Sequence, residues 1–563
     1  MKAAPDGHSR LAMNKMVRTL LRPVAHLVGV KTAELLKQFM QAHLHTPRVQ
    51  NQLLARLIAS HRNTDFGRDH GFDRINTYRQ FADAVPINTY ESLRPYMDKV
   101  LAGETTALLT PGHYVLMFSM TSGTTGKPKH IPVTRAFADN MKRGFALFGY
   151  KALLDHREAW LRPLLQISSP MRETLSPTGL PCGAISGLLA QDQLKIVRRM
   201  YVVPPAVSAI TDPPCKYYTT LRCGIEKDVS FITTANPSST IKLIEIGQQH
   251  TDQLIRDVAD GALTPPGDLP AGAAEALTFR PNPILAKRLE QGVARDGLLL
   301  PKHFWNVAFL ANWTGGTLKL YLRRLRELFG QVPIRDIGLV ASEGRFSIPL
   351  SDDIAGGVAE ITSSFLEFIP ADRIVDDNPP TLLAEQLQIG QEYFLVVTNW
   401  AGLWRYNMDD RIRVVDRLGE SPVFEFLSRG LHTANITGEK ITEHQVVEAM
   451  RVAATGMSCR VDRFVVQGRF ADMPHYQLRI EPPSGLDVNA LAAAMDEALA
   501  KLNIEYASKR STGRLGPIRA APLPPGALEK MEIELITSRR GRSEQYKHRY
   551  LLTDVIDDTR PTA

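Results

Sequence analysis

The sequence predicts an α/β protein built as a large multi-lobed N-terminal domain, residues 1–428, followed by a smaller α+β C-terminal domain, residues 429–563. Three observations predict it. The chain has 563 residues, more than one compact core accommodates. Strand-like runs alternate with helical patterns through its middle, as in an α/β body. A polar glycine turn, Leu427 to Gly430, separates that body from a unit with its own apolar pattern.

Taken in order, Thr46 to about Leu109 reads as amphipathic helices joined by short turns. Apolar Phe81, Ala84, Val85 and Ile87 lead into Thr89, Tyr90 and Glu91, a helix start. Tyr114 to Met120 is an apolar, aromatic run, and Ile131 to Val133 resumes it after a Gly/Thr/Ser stretch. This predicts strand, loop, strand, with the loop at a sheet edge. Glycine and proline between Asp260 and Pro283 mark a surface connection. Strands are expected at Asp336 to Val340, Phe365 to Ile369, Tyr393 to Thr398 and Ile412 to Val415. Beyond the glycine turn come a helix near Glu443 to Ala454, strands near Phe464 to Gln467 and Tyr476 to Glu481, and a helix near Val488 to Leu502. They predict a βαβ-like unit.

Composition narrows the classes. Hydrophobic residues are 44% and charged residues 22%, an ordinary globular balance that excludes a wholly disordered chain. The formal charge of +8 is mild at this length, and no long Lys/Arg block suggests nucleic-acid binding. The densest basic stretch, Arg539 to Arg549, reads as a solvated face or as attraction for an anionic substrate. The cysteines Cys182, Cys215, Cys223 and Cys459 form no CxxC pair and no zinc spacing, which points to a reducing cytoplasm. The N-terminal apolar run is broken by Arg22, Pro23 and His26, so neither a signal peptide nor membrane insertion is expected.

The strongest motif is TSGTTGKPK, Thr121 to Lys129. Gly123 and Gly126 allow positive φ and close approach of backbone N–H groups to an anion. Thr121, Ser122, Thr124 and Thr125 add hydroxyls, and Lys127 and Lys129 supply charge without burying it. A P-loop needs glycine where Thr121 stands and Ser or Thr where Pro128 stands, so that reading fails. The plain alternative is a polar hairpin. Nine such residues between two apolar strands favour a phosphate-binding loop.

TSGTTGKPK resembles the phosphate-loop signature of the adenylate-forming enzymes. Further motifs resemble the Gretchen-Hagen-three family of acyl-acid amido synthetases, auxin-responsive enzymes of plants with bacterial relatives. They are VPINTYESLRPYMDKVLAGE (Val85 to Glu104), SSPMRETLSPTGLPCGAISG (Ser168 to Gly187) and the WTGG turn at Trp313 to Gly316. Val340 to Glu343 with Phe346, Leu403 to Asp410, Thr437 to Lys440, and Gln545 to Arg549 continue the series in order, so the likeness spans about residues 60 to 551. Two positions depart from the family pattern: Asp409 stands for a glycine and His548 for a proline.

The resemblance implies a large adenylate-forming domain that binds ATP and acyl acid, and a mobile C-terminal domain. It implies activation of a small carboxylic acid as acyl-AMP, then transfer to an amine, expected to be an amino acid. It implies that Glu343 holds magnesium, where composition alone suggests a surface carboxylate. It places Ser342 at the nucleotide and Asp410 on the ribose hydroxyls, with a salt bridge from Asp410 to Arg405 or Arg411 as the plain alternative. It brings Lys440 and Lys547 to the phosphate, Lys547 only when the small domain swings in. No Ser-His-Asp arrangement has supporting context. An acyl-CoA or acyl-carrier-protein ligase shares the first step, and a non-catalytic small-molecule binding protein could use the same fold.

Overall fold

The structure is a computed structural model that describes residues 29–121, 129–167, 171–191, 195–430, 433–459, 461, 463–482, 485–528, 530–531 and 549–559. Helices Thr46–His61, Tyr78–Ala84 and Tyr90–Leu101 form the first layer. Thr77 and Thr89 start the latter two with capping boxes, each hydroxyl accepting a bond from the N–H three residues on. Their apolar faces bury Leu53, Leu57, Phe81 and Leu93 against Phe365, Trp404 and Tyr406. Gln50 fixes the docking: its amide nitrogen donates to Ile361 and Ser364 carbonyls and its oxygen accepts from Leu366 N–H.

The sheet beneath has six strands, all antiparallel. Its order is Ser347–Ile348, Gly357–Ala359, Ser421–Arg429, Tyr406–Leu418, Glu392–Asn399, Ser364–Pro370. A second sheet carries the hairpin Val115–Thr121 and Lys129–Thr134, the latter at its edge as expected. A third is wholly parallel and runs in chain order: Leu164–Gln166, Phe231–Thr233, Phe309–Asn312, Ile334–Asp336. Helices Pro213–Gly224, Pro237–Gln249 and Leu322–Phe329 lie in its crossovers, as parallel pairing requires.

After Gly430 the chain builds a mixed sheet, ordered Arg519–Pro522, His475–Ile480, Phe464–Phe470, Leu551–Asp557. The first pair and the last pair are parallel, and the central pair is antiparallel. Helices Glu443–Gly456, Val488–Leu502 and Ile504–Ser511 accompany it. One apolar cluster runs from the parallel-sheet layer, through Tyr321 and Leu325, to Phe470 and Tyr476 of this unit. No helix among the described residues is long and apolar enough to cross a membrane.

Three local expectations change. The strand expected at Asp336 to Val340 ends at Asp336, and a separate pair, Val340–Ala341 and Gly344–Arg345, follows. Glu343 therefore sits in a hairpin turn. Leu427 to Arg429 is strand, not turn, because its backbone continues the ladder against Asp410 and Arg411. The C-terminal unit adds an antiparallel pair to its βαβ crossover.

Candidate active site

The site forms where the three N-terminal layers meet the start of the C-terminal unit. Strand Tyr406–Leu418 alternates buried and half-exposed positions, and Asp410 takes a buried one in line with Tyr406, Met408 and Ile412. A carboxylate thus occupies a core position. Its direct cross-strand partner is Arg429, whose Nε lies 3.8 Å from Asp410 Oδ1. Arg405 and Arg411 are engaged elsewhere, Arg405 with Glu367 at 2.9 Å and Arg411 with Glu392. Burial raises the Asp410 pKa; Arg429 and Lys440 pull it down and Glu343 pushes it up.

Asp409 explains its departure from the family pattern. Between Asn407 and Arg411 the strand bulges, so that Met408 to Asp410 oppose Leu395 alone. Asp409 is the residue there with left-handed backbone, φ 59°. Glycine adopts that conformation freely, and aspartate is among the few side chains that tolerate it. Its half-buried carboxyl is pushed up to about 6 by burial first and by Asp410, against Arg429 and Lys129.

Glu343 approaches from the other side. The Thr314 N–H and hydroxyl both donate to buried Asp336, whose second oxygen accepts from Gly338 N–H. This ties the WTGG turn to the loop before the Glu343 hairpin. Gly315 and Gly316 are needed for close approach: a Cβ on either would stand 2.8 Å or 2.6 Å from the Phe426 or Leu427 carbonyl oxygen. Asn399 Nδ2 donates to the Glu343 carbonyl at 2.8 Å. The Glu343 side chain is fully buried, its Oε1 is 3.9 Å from Arg429, and neither carboxylate oxygen has a hydrogen-bond partner among the described residues. Ser342 shares the turn and is half-buried.

Arg429 is the hub that the sequence reading missed. Burial opposes its charge, yet Asp410, Glu343, Tyr406 and Asp409 together raise its pKa above the ordinary value. Lys129 is the other correction, being buried where a solvated cation was expected. Its Nζ donates to Tyr406 Oη at 3.3 Å and stands 5.6 Å and 5.9 Å from the Tyr90 and Tyr406 ring centres. Burial lowers its pKa, as do Arg429 and Lys440, while Glu343 and Asp409 raise it. Tyr90 and Tyr406 lie inside quoted motifs but were given no role there, and Arg429 sat in a stretch read as a turn.

Thr121 pairs with Lys129 at the mouth of the hairpin, so the two strands that flank residues 122–128 end at this site. Ser122, Gly123, Thr124, Thr125 and Lys127 lie outside the described residues. Lys440, half-buried, acts electrostatically on Asp410 and Lys129 and anchors through its carbonyl, which accepts from Asn503 at 2.6 Å. Glu439 beside it is buried and accepts from Ile436 N–H, Thr437 N–H and Tyr476 Oη. Lys547 also lies outside the described residues. The chain is described again from Arg549, and Tyr550 N–H donates to Glu443, three residues past Lys440, at 2.7 Å.

The sequence matches the GH3 family N-terminal domain over residues 35–334, the GH3 family central domain over 357–429 and the GH3 family C-terminal domain over 444–555. An indole-3-acetic acid-amido synthetase of Oryza sativa subsp. indica is 25% identical over 564 residues, covering 94% of this chain and 92% of that protein. A jasmonoyl–L-amino acid synthetase of Nicotiana attenuata is 23% identical over 444 residues, covering 76% of each. A solved acyl acid amido synthetase in complex with 2,4-DB shares the fold, with a TM-score of 0.65 at 20% identity over 93% of this chain and 95% of that one.

Proposed function

Because the chain belongs to the GH3 family, we propose that it activates a small carboxylic acid with ATP and joins the acyl group to an amino acid as an amide. The observation that carries the chemistry is the convergence of Glu343, Asp410, Lys129 and Lys440 around Arg429, at the mouth of the hairpin that holds the phosphate loop.

The substrate carboxylate attacks the α-phosphorus of ATP and the bond to pyrophosphate breaks. The amine then attacks the acyl carbon, AMP leaves, and the amine loses a proton. No enzyme nucleophile enters either step. The protein's work is positioning and charge stabilisation. Asp410 offers two oxygens to the ribose hydroxyls, and Arg429 opposes the upward push that burial gives its pKa. Lys129, Lys440 and, when the domain boundary near residue 428 allows it to approach, Lys547 meet the phosphates. Thr121 to Lys127 wrap the triphosphate and Ser342 flanks the nucleotide.

The Glu343 carboxylate suits a magnesium ion, since it is buried and neither oxygen has a hydrogen-bond partner among the described residues. Magnesium takes few protein ligands and completes its shell with phosphate and water. When bound it would neutralise phosphate charge. The free thiols Cys182, Cys215, Cys223 and Cys459 support a cytoplasmic setting, and nucleic acid is not an expected partner.

The deciding experiment is ATP–pyrophosphate exchange across aryl, indole and fatty acids, followed by AMP release with amino acids or thiols as acceptors. Exchange with one acid class, then amide formation, is expected. Absence of exchange with every acid would defeat the ligase reading, and a thioester product would transfer the chain to the thiol ligases.

A further inference from the structure

Two tyrosine rings, rather than a carboxylate, hold the last lysine of the TSGTTGKPK motif. Lys129 pairs with Thr121 across the mouth of the hairpin and retains 9% of its surface. Its Nζ stands 5.6 Å from the Tyr90 ring centre and 5.9 Å from that of Tyr406. Both fall inside the roughly 6 Å over which a ring face attracts an ammonium. It donates one hydrogen bond, to Tyr406 Oη at 3.3 Å. Glu343 and Asp410 lie against Arg429 instead, at 3.9 and 3.8 Å, and Lys129 forms no ion pair among the described residues.

A carboxylate partner would neutralise the ammonium and occupy its N–H groups. A ring face attracts the charge through its quadrupole and does neither. An ammonium carries three N–H donors. Tyr406 takes one, and the others stay available to an anion. A cation that is fixed in direction yet left unneutralised, at the end of a loop rich in glycine and hydroxyls, suits a phosphate oxygen.

Tyr90 is itself held firmly. Two residues before it, the Asn88 N–H donates to the Arg405 carbonyl and the Asn407 N–H donates to the Asn88 carbonyl, both at 2.8 Å. Asn88 Nδ2 donates to the Trp404 carbonyl at 2.9 Å. The chain entering helix Tyr90–Leu101 is thus stitched to the start of the strand that carries Tyr406 and Asp410. From there Tyr90, 3% exposed, reaches the phosphate hairpin: the His130 N–H donates to its Oη at 2.8 Å. Strand Lys129–Thr134 lies at a sheet edge, and this hydroxyl takes up one of the N–H groups that an edge leaves unpaired. One side chain therefore fixes the backbone next to Lys129 with its hydroxyl and the Lys129 ammonium with its ring. Arg94 also lies over that ring, at 5.0 Å, but Glu91 neutralises it at 2.7 Å.

We propose that Tyr90 is a positioning residue: with Tyr406 it cages the Lys129 ammonium and aims it at the triphosphate, and so sets the affinity for ATP. The inference rests on ATP use in the amido synthetase reading, and its first test needs no turnover.

Titration calorimetry of magnesium-ATP into the full chain reads the cage directly. Tyr90→Leu should weaken binding about tenfold or more, and Tyr90→Phe, which keeps the ring, by no more than about threefold. In a Lys129→Met background Tyr90→Leu should add less than about twofold, because its target is gone. A loss that persists in full in that background overturns the proposal, since Tyr90 would then act only by holding its helix. Parent-like binding by Tyr90→Leu overturns it too. Fluorination tests the ring while keeping its shape, whether or not Tyr90→Leu folds. Tyr90→Phe carrying one, two or three ring fluorines has a progressively weaker negative face, and the Kd should climb along the series by about fivefold in all. A flat series overturns the cage. In pyrophosphate exchange the KM for ATP should rise in Tyr90→Leu while the KM for the acid stays within about twofold of the parent; a rise in the acid KM alone overturns the assignment to the triphosphate. Should the chain exchange pyrophosphate with no acid, the ligase reading fails and the calorimetry still decides the cage. A parent chain that binds no magnesium-ATP overturns it.

Discussion

Gly430 N–H donates to the Asp409 carbonyl at 2.6 Å, and a Cβ on Gly430 would stand 2.7 Å from Asp409 Oδ2. The glycine just past the last strand of the six-stranded sheet is thus latched to one of the two residues that depart from the family pattern. Gly430 has φ 64°, so the latch needs glycine for both its backbone and its space.

Gly430→Ala is expected to lower stability by about 1–2 kcal/mol from backbone strain alone, with a further penalty from the Asp409 contact. Adding Asp409→Gly should recover the contact share and leave the strain. A urea-denaturation cycle over the two single variants and the double variant measures the split. Full additivity would show that the two residues are not coupled.

Asp409 makes stability depend on pH in a defined direction. Its folded pKa is pushed up to about 6 from 3.8, so the folded state holds the proton more tightly than the unfolded chain. Stability from this group is present below the unfolded pKa and is lost as pH rises through about 6. Asp409→Asn keeps a side chain that tolerates positive φ and removes the titration. The variant should match the parent near pH 4 and exceed it above pH 6 in denaturant midpoint. Parallel curves from pH 4 to 8 would remove Asp409 as the source.

Arg429→Met leaves Asp410 and Glu343 buried without their shared cation. Loss of one partner from a buried pair typically costs about 3–5 kcal/mol, and a large fall in the denaturant midpoint is expected. Lowering the pH to protonate the carboxylates should shrink the difference from the parent. A stability loss that does not vary with pH would mean that packing, not charge, is what Arg429 supplies.

Glu343→Gln retains shape and removes charge. Pyrophosphate exchange should fall by about 10²-fold or more and recover in part at high magnesium, while the melting curve stays close to that of the parent. Parent-like turnover at limiting magnesium would make Glu343 a structural residue.

Lys547→Ala should slow acyl-AMP formation strongly and spare amide formation from supplied acyl-AMP, because the resemblance to adenylate-forming enzymes implies that the C-terminal lysine serves the adenylation step. Single-turnover measurements of each half-reaction separate the cases. Equal slowing of both counts against alternation of the small domain, and no slowing of either means the motif lysine is another residue.

By itself the sequence determined the things that are local in the chain. Hydroxyls and glycines between two apolar runs predicted a phosphate-binding loop, and the two flanking strands pair as expected. Period-two and helical patterns marked some strands, such as Phe365 to Ile369 and Tyr393 to Thr398, and the helices near Glu443 to Ala454 and Val488 to Leu502. The ordered motifs singled out Glu343 and Asp410, which the fold sets beside Arg429, and Lys440. Only the tertiary structure decided what is made by pairing distant segments. Arg429 became the hub because strand register sets it opposite Asp410; its own neighbours, Ser428 and Gly430, read as a turn. Lys129 became a buried cation because Tyr90 and Tyr406 close over it from two other elements. Backbone pairing and burial are properties of contacts remote along the chain, and composition within a short window carries no record of which segment will arrive opposite.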